Sequence, residues 1–162
     1  MKLFLIAATA LMVACGFQMN WGGQYLIYID PAFTPDRQGE IREAIGEWNQ
    51  VSEGNITLIE TASPKGSHVI QVWADHTQRA SGQAGECVPF YETIKLQDDM
   101  KVDQTRRTAL HEIGHAFGLE HDHEGTIMCF SLACAPKHLT CDDLRQFCSI
   151  WKCDASTLAV CQ

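Results

Sequence analysis

The stretch His111-Glu112-Ile113-Gly114-His115-Ala116-Phe117-Gly118-Leu119-Glu120-His121 decides how the rest of the chain is read. On a helix, His111 and His115 lie one turn apart and project from one face, where both imidazoles can hold one metal ion. Glu112 sits beside the first ligand and can reach a water on the ion without being a ligand itself. His121 is too far along to meet the same ion from a continuous helix, so the helix must stop. Gly118 supplies the break, because glycine tolerates the left-handed conformation that turns the chain back. Three neutral imidazoles leave a fourth position open, which points to a catalytic rather than a closed structural zinc site. The plain alternative is a helix whose histidines merely face solvent or core.

This stretch resembles the metzincin zinc endopeptidases, whose pattern is H-E-x-x-H-x-x-G-x-x-H followed by a methionine turn. The turn would be Thr126-Ile127-Met128, and its short distance from the motif is most similar to the matrixin branch. The resemblance implies an α+β, zincin-like fold. In it, a twisted mixed sheet carries an active-site helix, a backing helix and a C-terminal helix. It also implies one catalytic Zn2+ held by His111, His115 and His121, with Met128 as an apolar floor beneath it. A peptide bond would be hydrolysed by a water activated on the zinc, with Glu112 as general base. Relatives of the astacin type keep a tyrosine after the methionine; here Cys129 and Phe130 stand there, so no fifth protein ligand is expected. Two other readings compete. One is a zinc peptidase acting on peptidoglycan cross-links; the other is a binding module that keeps zinc without turnover. Glu112 argues against the last, since a structural site needs no base.

The 162 residues suit one domain, and the net charge of -8 comes without a basic run, which argues against nucleic acid as a partner. Met1-Lys2 followed by the apolar Leu3 to Ala14 is too short to span a bilayer and reads as an export signal over 1–14. The segment Leu11 to Gly16 resembles a bacterial lipoprotein box with Cys15 as the lipidated residue. Simple cleavage near Ala14 is the alternative. A lipid there would anchor the protein to a membrane surface facing the periplasm or the exterior, with 15–24 as a tether and the peptidase domain over 25–162. Without it, the protein is secreted.

Eight cysteines behind such a signal imply an oxidising compartment and disulfides. Setting Cys15 aside leaves seven, an odd number, so one would be free or paired between chains, or else Cys15 is not lipidated. Six lie beyond the methionine turn, where they are expected to staple the last helix and a wall of the substrate cleft. Their pairing is open. Cys87 could in principle cap the zinc as an internal switch, but a disulfide is the simpler reading.

The remaining chain alternates in type. Tyr25–Ile29 reads as a strand ending at Asp30-Pro31. Thr34-Pro35-Asp36 opens a helix with Ile41, Ala44, Ile45 and Trp48 as its apolar stripe. Ile56–Ile59 and Val69–Trp73 are further strands, and one or two short strands fall around Cys87 between Val88 and Leu96. In metzincins an edge strand pairs with an extended protein or peptide substrate; the matching edge is placed within Ser81–Phe90. Asp103 or Thr105 would cap the active-site helix, whose buried side is Leu110, Ile113, Ala116 and Phe117. Thr140 caps a last helix with Leu144, Phe147 and Trp151 inward. His68, Asp75 and His76 could contribute to a second metal, although a surface turn explains them as well. His123 rivals His121 as a ligand, but its spacing from Gly118 reads as a solvated turn.

Overall fold

The computed structural model describes residues 23–66, 68–77, 83–88 and 92–162. The expected export signal and the lipidation of Cys15 lie outside these residues. Five strands form one sheet: β1 (Gly23–Ile29), β2 (Ile56–Thr61), β3 (Val69–Asp75), β4 (Gly85–Val88) and β5 (Thr93–Gln97). Their spatial order is β2-β1-β3-β5-β4. All neighbours are parallel except β4, which runs antiparallel to β5 at one edge. Three helices complete the fold: α1 (Pro35–Val51), α2 (Val102–Ala116) and α3 (Cys141–Trp151). This is the mixed α+β architecture anticipated above. The domain starts slightly early, since Gly23 and Gln24, expected in a tether, already belong to β1.

Alternation on β1 sets the layering. Tyr25, Ile27 and Ile29 are buried, while Leu26 between them is exposed on the other face. The buried face receives the α1 stripe of Ile41, Ala44, Ile45 and Trp48. Pro35 at the first helical position has φ pre-set and no amide to satisfy. Helix α1 packs along α2, and the indole Nε1 of Trp48 donates to the Leu110 carbonyl at 3.1 Å. Trp48, Phe117 and Phe147 form an aromatic cluster with centroids 5.2 and 5.7 Å from the Trp48 ring. Trp151 continues it by stacking on Phe147, and its Nε1 donates to the Phe117 carbonyl. The three helices are therefore locked by one aromatic seam directly behind the motif.

Helix α2 does not start on Asp103 or Thr105. Lys101 is the N-cap, with its amide donating to the Gln104 side chain at 3.3 Å, while Asp103 lies inside the first turn. The box therefore uses the reaching glutamine rather than a capping side chain, a geometry that the preference for Ser, Thr, Asp and Asn at the cap does not anticipate. Thr140 caps α3 as expected.

Three disulfides join Cys129 to Cys134, Cys141 to Cys161 and Cys148 to Cys153. The first closes a short loop just after Met128, and the other two tie α3 to the C-terminal turns. Cys87 is disulfide-bonded as well, so the spare thiol that lipidation of Cys15 would leave is not found among the described residues. No helix among the described residues is long and apolar enough to cross a membrane.

Candidate metal centre and active site

Helix α2 presents His111 and His115 on one face, and the chain then turns. Gly118 takes φ 89°, a left-handed conformation that costs a glycine nothing. The amides of Gly118 and Leu119 close the turn on the carbonyls of His115 and Gly114. Leu119 is buried, and two residues later His121 comes back over the helix.

The three imidazoles converge. Their ring centroids are 4.6, 4.8 and 5.2 Å apart, and one nitrogen from each lies within 4.8 Å of the others. The Nδ1 atoms of His111 and His115 lie 2.8 Å from the carbonyls of Ile127 and Leu119. A carbonyl only accepts, so each Nδ1 carries the proton and each Nε2 offers a lone pair inward. Nε2 of His115 and Nε2 of His121 are 3.2 Å apart. Two nitrogens bound tetrahedrally at about 2.0–2.1 Å would sit roughly 3.3 Å apart, so the arrangement fits one zinc ion. His111, His115 and His121 are also the one such cluster among the described residues.

Electrostatics prepares the same state. Burial, with the neighbouring His111 adding to it, pushes His115 down to about 4. Burial likewise lowers His111, partly offset by its bond to Ile127. Both rings are therefore neutral at neutral pH, as ligands must be. Glu112 is only 5% exposed. Burial pushes its carboxyl up to about 8, Glu86 adds to this, and a hydrogen bond from the Cys87 backbone opposes it. Those directions describe the metal-free protein.

Met128 is fully buried behind the histidines. Its turn is held by Asp143, whose carboxylate accepts the amides of Ile127 and Met128 at 3.1 and 3.2 Å. The same carboxylate accepts from the amide and hydroxyl of Thr140. Because the Ile127 carbonyl orients His111, Asp143 supports the triad at one remove. Asp143 lies in the first turn of α3, and nothing local in the sequence ties it to the methionine turn.

A cleft of about 490 Å3 opens in front of the triad. Strand β4 lines one side, within the segment expected to hold the substrate edge, and the Cys129–Cys134 loop lines the other. Phe130 on that loop is 80% exposed. Arg107, one turn before His111, pins the loop by donating from Nη1 to the carbonyls of Leu132 and Ala135 at 3.0 and 3.2 Å. His123 stands apart from the triad, exposed and paired with Asp122 at 2.7 Å. His68 and His76 face Glu92 and Asp98, respectively.

A mixed sheet backed by a helix that carries two of three converging histidines defines a metzincin-like zinc-peptidase domain. Residues 34–150, more than half of the chain, match Reprolysin_5 of metallo-peptidase family M12, and the chain belongs to that family. No curated protein matches the sequence. Among solved structures, myroilysin is similar at 24% identity and a TM-score of 0.43, over 64% of this chain and 44% of that one. The chain thus spans less than half the length of that protein.

Proposed function

We propose that this metallopeptidase domain is a zinc-dependent endopeptidase acting on proteins, with His111, His115 and His121 as ligands and Glu112 as general base. One observation carries the reading: two imidazoles whose Nδ1 protons are spent on carbonyls, and the His121 ring with them, converge on one point beside a buried carboxyl, at the floor of an open cleft. A zinc ion bound there supplies a Lewis acid that polarises the scissile carbonyl and lowers the pKa of water.

The chain's own residues supply the remainder. Glu112 takes the proton of the attacking water and passes it to the leaving amine. It is ionised for this step, a form that the charge of a zinc ion held by the triad would favour. Backbone contacts along β4 would align an extended substrate with little regard to its sequence, leaving selectivity to side chains that meet the opposite wall. The disulfides suit an oxidising, extracytoplasmic compartment.

The test is cleavage of an unstructured protein such as casein by the purified protein. Fragments should appear, cease on chelation and return with zinc. A folded, zinc-loaded protein that cuts nothing would turn the assignment toward a narrow substrate such as a wall peptide, or toward a binding module.

A further inference from the structure

We infer that Gly85 is a positioning residue for Glu112: the bare backbone of β4 at this point seats the Glu112 carboxyl at the floor of the cleft. The inference rests on Glu112 being the general base. Strand β4 crosses α2 so closely that a Cβ at Gly85 would lie 2.7 Å from Cγ2 of Thr108 and 2.9 Å from both Cγ and Oε1 of Glu112. Thr108 and Glu112 are one helical turn apart, so Gly85 rests on a single ridge of α2. Two residues further along the strand, the Cys87 backbone hydrogen-bonds the same carboxyl. The strand therefore meets Glu112 twice, once through a missing side chain and once through an amide.

Neither neighbour can retreat. Gly85 and Cys87 pair with Leu96 and Ile94 of β5, both fully buried. Thr108 is buried, and its hydroxyl donates to the Gln104 carbonyl at 2.9 Å. The end of the Glu112 side chain is the one movable group in the contact. A methyl group at position 85 would therefore displace the carboxyl and also press on Thr108, at some cost in stability, while the three imidazoles stay in place.

Gly85→Ala should lower kcat by about 10- to 100-fold, as a misplacement of about 1 Å can. KM should stay within about twofold, and zinc content and cooperative unfolding should be kept. Thr108→Ser removes Cγ2 but keeps the hydroxyl, so Gly85→Ala with Thr108→Ser relieves the contact with the helix and not the one with Glu112. The pair should show the same loss of kcat. Wild-type kcat in either variant would overturn the inference, as would a rise in KM with kcat intact, which would place Gly85 in substrate alignment alone. Failure of both variants to fold would also overturn it, making the glycine a packing requirement. A wild-type protein that cleaves nothing would instead overturn the assignment of Glu112 itself.

Discussion

Gly114 and Met128 touch so closely that a Cβ on the glycine would lie 2.6 Å from the methionine sulfur. Gly114 sits between His111 and His115 on α2, and Met128 lies fully buried on the following turn. The helix that carries the ligands and the turn that orients one of them are thus in direct contact through a position without a side chain.

Gly114→Ala separates helix propensity from packing. Alanine favours the helix by about 1 kcal/mol. Forcing a methyl into this contact costs about 1–3 kcal/mol by overpacking. Net destabilisation of about 1 kcal/mol is expected in urea unfolding, together with weaker zinc binding. A variant more stable than wild type would show that the turn yields freely.

Asp143→Ala should be worse. The carboxylate is 1% exposed and accepts from Ile127, Met128 and Thr140. Each donor left buried without a partner costs about 1–3 kcal/mol, so a loss of at least about 3 kcal/mol is predicted. Zinc affinity should fall with it, because the Ile127 carbonyl orients His111. Unchanged affinity in the folded variant would contradict that link.

Arg107→Ala removes two charge-assisted bonds to the cleft wall. A stability loss of about 2 kcal/mol is expected. The set of residues accepted beside the cleavage site should widen as the Phe130 loop loosens, which peptide-library profiling reads directly. An unaltered profile would mean that the Cys129–Cys134 bridge holds the wall alone.

Glu112→Gln should change the pH dependence of stability in the metal-free protein. The folded carboxyl titrates at about 8, against an ordinary value of 4.5. Between these values the folded state keeps a proton that the unfolded state has released. The contribution of Glu112 to stability is thus full below about pH 4.5 and is lost as pH rises through 8. Glutamine does not titrate, so the midpoint of the variant should gain on wild type steadily from pH 5 to pH 8 in chelator. A constant difference across this range would show that the carboxyl is not held protonated.

How much of this was legible in the sequence follows the range of the interactions. The spacing His111-His115-Gly118-His121 fixed the helix, its end and the triad, because each depends on local geometry. Pro35 and the Ile41 to Trp48 stripe did the same for α1. What stayed hidden was decided by contacts distant in sequence. Asp143 serves a turn fifteen residues upstream, Gly85 owes its identity to Thr108 and Glu112, and Arg107 reaches over to Leu132. The disulfide pairs depend on how the C-terminal turns fold back on α3. The cap of α2 was misplaced for a local reason: Lys101 has no capping habit of its own, and the closing group comes from Gln104.

The central claim is that Glu112 acts as the base at a zinc site it does not help to build. The most direct test is to load wild type and Glu112→Gln with zinc, confirm one ion per chain in each, and compare their turnover of the same unstructured protein. Equal zinc with turnover lost by at least about a hundredfold in the variant is the predicted result. Equal zinc with turnover retained would contradict the account.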